Sequence, residues 1–307
     1  MAIEAPRPWV PPFEPIESRP APVETPSVER IPSGVADFDH LSGGIPAGSV
    51  VLLAGDAGAG HQEFALTSAA HVMLHYDEPE LHQFFLGSTP GPFVYPKGVV
   101  YVSFTRSKDQ VLREVRGAFH RSYPEVLERH LTFHDLSPAY FSDSVVPTEW
   151  SAINRPLLSE LPATVGRGTP TGPLPALADA LEVDGAQNLV IVDSLTDLLV
   201  RRGVDTEELL TLVKGLRRRA KRWGGIVYLL LSRGVAPAPT EQALYDSVDG
   251  VLAFTWTSSP YHSHRQRTML IEKFMPVLSR VPPEYQGRFV IRIHANSGLV
   301  TTQYERV

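Results

Sequence analysis

One short glycine-rich run, Gly55-Asp56-Ala57-Gly58-Ala59-Gly60-His61-Gln62, stands directly after the apolar stretch Val50-Val51-Leu52-Leu53. This is the frame of a phosphate-binding loop, G-x-x-x-x-G-K-[ST]. In such a loop backbone N–H groups cradle the phosphates, a lysine reaches the β- and γ-phosphates, and a Ser/Thr hydroxyl holds Mg²⁺. Gly55 and Gly60 keep the spacing, but His61 stands at the lysine position and Gln62 at the hydroxyl position. An imidazole is shorter than a lysine and mostly neutral at pH 7, with an unperturbed pKa of about 6.5. An amide oxygen is a poorer Mg²⁺ ligand than the hydroxyl it replaces. The backbone cradle and the helix dipole do not depend on those side chains. The loop therefore reads as a site that can still take ATP or ADP with Mg²⁺, weakly, through residues 55–62.

Two further apolar runs stand out. Asn188-Leu189-Val190-Ile191-Val192-Asp193-Ser194 is an apolar strand ending in an acid. An acid at the carboxyl end of a central strand can hold a Mg²⁺-bound water beside the phosphates, so Asp193 is the one metal-site residue, conditional on a nucleotide. The plainer alternative is a strand-end turn acid. Val100-Tyr101-Val102-Ser103-Phe104-Thr105-Arg106 is a second apolar strand, and it ends in no base. Threonine does not act as a base near neutral pH, and arginine stays protonated.

These groups need elements to hold them. Val50–Ala54 reads as a buried strand and 62–74 as the helix after the loop. Val99–Phe104 is a strand leading into a helix from about 108 to 119. Leu131–His134, Asn188–Val192 and Gly225–Leu231 are further strands, with helices over 174–181 and 206–223. The last helix has Asp205 as N-cap and Glu208 three residues on, a capping-box pattern. Val248–Phe254, Thr268–Lys273 and Phe289–His294 close the chain as strands without helices. Alternating β and α with continuous apolar strands implies a mostly parallel sheet flanked by helices on both faces. The final strands imply an antiparallel extension at one edge.

The run Ile31-Pro32-Ser33-Gly34-Val35-Ala36-Asp37-Phe38-Asp39, followed by Leu41-Ser42-Gly43-Gly44-Ile45-Pro46-Ala47-Gly48, precedes the loop. Together with the loop and the strand ending in Asp193 it resembles the KaiC-like branch of the RecA superfamily, over roughly residues 31–307. The resemblance implies a RecA-like P-loop NTPase core. In that branch the strand matching Val100–Phe104 is followed by a Glu pair whose glutamate is the general base for the attacking water; Thr105 and Arg106 occupy those places, so no catalytic residue is assigned. A late strand often carries K-x-R, which reaches a nucleotide in the neighbouring subunit. Lys273 matches the lysine and Met275 replaces the arginine; an ordinary surface lysine fits Lys273 equally well. The family is commonly homo-oligomeric, which implies a homo-oligomer or a related protein partner here. It also includes archaeal members of uncharacterised role with altered phosphate loops.

Residues 1–30 hold eight of the 28 prolines and read as a proline-rich, weakly ordered tail ahead of one domain over 31–307. That domain carries two insertions, at about 75–98 and 137–173, whose aromatics must pack on something, their own domain or a partner. A composition 43% hydrophobic and 20% charged is that of a globular chain with a sizeable core. No run reaches the ~20 apolar residues of a membrane span, and the N-terminus shows no signal-peptide pattern. The absence of cysteine removes disulfides and thiolate chemistry and fits a reducing cytoplasm. A net charge of −6 does not favour nucleic acid as a partner. Lys214, Arg217, Arg218, Arg219, Lys221 and Arg222 cluster near a helix C-terminus, where cations suit the dipole. The histidines lack metal-ligand spacing, and no structural metal is expected. Losing three positioning groups, each contributing on the order of 10²–10⁴-fold, points to a non-hydrolysing or weakly hydrolysing regulatory or assembly module. The competing readings are an active ATPase in signalling or DNA repair and a nucleotide-free interaction scaffold.

Overall fold

The computed structural model describes residues 28–87, 92–147, 150, 172–258, 265–281 and 288–305, with side chains described as far as Thr301. The proline-rich tail lies almost wholly outside the described residues, as does most of the second insertion.

Among the described residues nine strands form one sheet. In chain order they begin with β3 (Ser49–Gly55), because β1 (Arg30–Ile31) and β2 (Ile45–Pro46) make a separate antiparallel ladder. The others are β4 (Val99–Ser103), β5 (Leu131–Asp135), β6 (Leu189–Asp193), β7 (Ile226–Ser232), β8 (Gly250–Ser258), β9 (Arg265–Lys273), β10 (Arg288–His294) and β11 (Gly298–Glu305). The spatial order is β11-β10-β9-β8-β3-β7-β6-β4-β5. Pairs from β8 through to β5 are parallel, and β8-β9, β9-β10 and β10-β11 are antiparallel. The expected α/β sheet with an antiparallel edge is what forms, with β11 as an additional strand that the sequence reading did not anticipate.

Strand β3 sits between β7 and β8, and all seven of its residues are buried. Its side chains alternate between two cores. Val51 and Leu53 join Phe64, Tyr101 and Tyr228 on one face, while Val50, Leu52 and Ala54 join Val100, Val190 and Leu229 on the other. Burial on both faces explains why these strands read as unbroken apolar runs rather than alternating ones.

Helix α1 (Ala36–Ser42) follows the opening motif, whose Asp39 carboxylate accepts from the backbone N–H of Ser33 at 2.7 Å and of Gly34 at 3.1 Å. Burial pushes the Asp39 carboxyl up to about 7, with those hydrogen bonds acting the other way. Helix α2 (His61–Asp77) is buried from Phe64 to Leu74 on every side, because further helices cover the face turned from the sheet. Its polar members are satisfied internally: Ser68 bonds Tyr228, Thr67 accepts from Leu299 N–H, and His71 bridges the Gly34 carbonyl and the Tyr123 hydroxyl.

The first insertion is largely built structure. It contributes the end of α2 and helix α3 (Pro79–Leu86), and its aromatics return to the same domain: Phe85 stacks on His71 at 4.5 Å and Tyr95 on His75 at 3.7 Å. Phe84 is the most exposed of this group, at 78%. The remaining helices are α4 (Lys108–Ala118), α5 (Ser122–His130), α6 (Ser137–Phe141), α7 (Pro173–Asp184), α8 (Leu195–Val200), α9 (Thr206–Trp223), α10 (Ala238–Ser247) and α11 (Met275–Leu278). Helix α9 has its expected bounds, but the capping box does not form: Asp205 accepts from Glu207 N–H at 2.8 Å, with no reciprocal contact from Glu208. A true capping box stands instead at the start of α4, between Ser107 and Gln110. On α9, Arg217 and Lys221 pair with Asp249 and Arg219 with Glu182, so half of the basic cluster is engaged within the fold.

Candidate functional site

Strand β3 ends at Gly55 and α2 begins at His61, so residues 55–60 cross the carboxyl edge of the sheet as a tight loop. Gly58 and Gly60 have φ of 71° and 114°, which only glycine adopts without strain. Ala59 is fully buried, and its N–H closes a turn on the Asp56 carbonyl at 2.9 Å. Gly60 caps α2 without a side-chain acceptor, which leaves the first N–H groups of a 17-residue helix to face whatever lies above the loop. This backbone fits an anion.

The β8-β9 hairpin braces the loop. Trp256 donates from Nε1 to the Ala57 carbonyl at 3.0 Å, and its backbone N–H meets the Asp56 carboxylate at 3.4 Å. Arg267 donates from Nε to the Gly58 carbonyl at 2.9 Å, and its guanidinium lies 4.4 Å from the Trp256 ring centre. Arg265 flanks the same ring at 5.1 Å. Sequence reasoning missed these braces. Their signal was the cross-strand pair Trp256–Arg267, visible only once the register of β8 and β9 is known.

His61 does not reach outward as a lysine would. Its ring folds back over Gly55, where any Cβ would overlap it, and lies 6.4 Å from the Phe254 ring. Its Nδ1 is buried and meets no hydrogen-bond partner among the described residues. Burial lowers its pKa against the upward pull of Glu63, Asp193 and Asp56, so the ring is neutral at pH 7.

Asp193 ends β6, and Ser103 at the end of neighbouring β4 is its cross-strand partner. The chain continues past β4 through Phe104 and Thr105 to Arg106, which brings Arg106 back to Asp193. The Arg106 Nε donates to Asp193 Oδ2 at 2.9 Å, and Nη2 pairs with the same oxygen. The Tyr101 hydroxyl donates to that oxygen at 2.7 Å and accepts from Arg106 Nη2 at 2.6 Å. Glu114 on α4 takes Nη1 at 2.6 Å. Burial works to discharge Arg106, and the oxygens of Tyr101, Asp193 and Glu114 outweigh it, holding the guanidinium above its ordinary range. Burial, then the Asp193 carboxylate, keeps the Tyr101 phenol protonated.

The structure thus brings residues 55–62, Arg106 and Asp193 together and leaves Lys273 apart. Lys273 pairs with Val251 near the start of β8, whereas Gly55 pairs with Phe254 further along it. Its ammonium donates to the carbonyls of Tyr245, Asp246 and Val248 at 2.8–3.1 Å, which closes the C-terminus of α10. Thr105 is exposed beyond the end of β4. No group of metal-ligating side chains occurs among the described residues.

A central parallel sheet with the loop at the β3-α2 junction and an acid at the end of β6 defines the RecA-like P-loop fold. Two crystal structures share it: a KaiC-like protein from the hyperthermophilic archaeon Pyrococcus horikoshii and the flagellar accessory protein FlaH from Methanocaldococcus jannaschii. They are 16% and 14% identical to this chain, each with a TM-score of 0.57, over 90% of this chain and 100% of theirs. No protein-family model matches the sequence, and no curated protein matches it.

Proposed function

We propose that this chain is a RecA-fold regulatory or assembly module whose phosphate loop is degenerate and whose site hydrolyses ATP weakly or not at all. The observation that carries this reading is the Arg106–Asp193 ion pair. Where hydrolysis needs a carboxylate to activate water, the end of β4 supplies a fixed cation, and that cation neutralises the acid of β6. The neutral, inward-turned His61 adds a second deficit, because no lysine-like charge stands ready for a γ-phosphate. The glycine-shaped backbone and the open start of α2 support retention of nucleotide binding in weakened form. In this reading the bound state, rather than turnover, is the signal, and a homo-oligomer or a related partner reads it.

The test is a paired hydrolysis assay on the wild type and on Asp193→Ala with Mg²⁺-ATP. The expected result is turnover at background in both. Robust Mg²⁺-dependent turnover abolished by Asp193→Ala would overturn the reading and establish a working ATPase.

A further inference from the structure

A phosphate loop of this frame holds its divalent ion between the residue after the lysine position and an acid at the end of a nearby parallel strand. Here those residues are Gln62 and Asp193, and the guanidinium of Arg106 stands between them. On one side it binds Asp193 through Nε and Nη2. On the other it meets the Gln62 amide. In the orientation that gives that amide a donor to accept from, its oxygen receives Nη1 at 2.5 Å and Nη2 at 2.6 Å. Mg²⁺ requires six oxygens at about 2.0–2.1 Å in octahedral array. The space where they would converge is taken by a planar cation whose side chain is only 20% exposed. The residues present do not fit Mg²⁺.

We propose that Arg106 is a built-in replacement for the divalent cation, so that the loop takes the phosphates of a nucleoside di- or triphosphate without Mg²⁺. The proposal rests on the nucleotide reading above and specifies its ion requirement. It accounts for Gln62 and Arg106 as a single change made in two places. A Ser/Thr hydroxyl is short and suits a small ion held close to the helix; the longer glutamine places its oxygen against a guanidinium arriving from β4. An arginine fork also matches phosphate oxygens in shape, which a compact ammonium does not.

Access for a phosphate comes through Glu114. Asp193 and Tyr101 grip the inner side of the guanidinium, whereas Glu114 is 54% exposed and holds only Nη1. An arriving phosphate oxygen can take that place while the inner contacts persist.

The experiment is calorimetric titration of ATP into the full chain, once in excess EDTA and once in excess Mg²⁺. The wild type is expected to bind at least as tightly in EDTA. Arg106→Ala is expected to lose about ten- to a hundredfold in EDTA, the range of a charge-assisted hydrogen bond. Glu114→Gln, which removes the exchangeable carboxylate and leaves Arg106 in place, is expected to tighten ATP in EDTA, and it carries the test if Arg106→Ala does not fold. Tightening of the wild type by Mg²⁺ of tenfold or more overturns the proposal while leaving the nucleotide reading intact. Unchanged or weaker binding by Glu114→Gln also overturns it. Absence of binding in both buffers removes the nucleotide reading and the proposal together.

Discussion

The Arg106–Asp193 contact makes a stability prediction that needs no ligand. The two side chains are 20% and 14% exposed, so solvent screens them only partly. Two unit charges ~4 Å apart attract by about 4 kcal/mol at an effective dielectric of ~20. Desolvation of both groups removes much of that, and charge-assisted hydrogen bonds retain roughly 1.5–3 kcal/mol. A double-mutant cycle with Arg106→Met and Asp193→Asn, followed by urea unfolding, should therefore give a coupling of about 2 kcal/mol. The structure also fixes an asymmetry. Without Asp193, Arg106 still has Glu114, Tyr101 and Gln62; without Arg106, Asp193 has the Tyr101 hydroxyl and, among the described residues, no paired cation. Arg106→Met should then cost more than Asp193→Asn, with methionine preserving most of the apolar stem packing. Additivity within about 0.5 kcal/mol would show that the pair does not hold in solution. A larger cost for Asp193→Asn than for Arg106→Met would refute the partner assignment.

His71 and His82 are both held near 4 by burial, with His82 and His75 respectively adding repulsion. A depressed folded pKa gives stability that is present above ~6.5 and lost as pH falls toward 4. For His71 that loss is about 3 kcal/mol. Asp39, raised to about 7, acts with the opposite sign over the same range. Unfolding free energy measured from pH 7 to 4 should therefore fall less steeply in His71→Gln than in the wild type, and parallel curves would rule out a neutral buried His71. His61→Lys should tighten ATP about tenfold or more, as a charge-assisted contact implies; unchanged affinity by calorimetry would mean that the loop cannot present a side chain there. Self-association should be independent of nucleotide, and Phe84→Asp should weaken it without unfolding the chain, because Phe84 is exposed while Phe85 packs on His71. Sedimentation with and without ATP checks both, and a ring that forms only with ATP would reverse the conclusion.

The sheet was legible because its strands are buried on both faces and so appear as short unbroken apolar runs, from Val50–Leu53 to Leu189–Val192. What escaped was decided by tertiary contact. Helix α5 and helix α10 are short, and each carries a proline near its start, Pro124 and Pro239. Helix α3 lies in a proline-bearing stretch that reads as an insertion, yet Pro79 is simply its first residue, where the missing N–H costs nothing. The Asp205–Glu208 spacing suggested a reciprocal cap, but the Asp205 carboxylate turns to Glu207 N–H instead. Lys273 matched a family position by spacing alone, and spacing does not reveal that its strand end lies beside the open carbonyls of α10.

At the site, the sequence names the residues one by one but does not reveal which of them touch. Sequence assigns His61, Gln62 and Arg106 each to a place where a different residue is expected, and so reads three separate losses. In space His61 stands by itself, and the other two form a pair. His61 folds over Gly55 and becomes part of the wall beside Phe254. Gln62 and Arg106 meet each other, 44 positions apart in the chain, across the gap between α2 and β4. Substitution at one alone leaves an amide oxygen without a donor, or a guanidinium without one of its acceptors; together they close a bridge from the helix to Asp193. A site that meets no ligand does not need that bridge, whereas the metal-free phosphate site proposed above uses a cation there. The ion dependence of binding separates these two readings more directly than a hydrolysis assay, for which both predict background turnover.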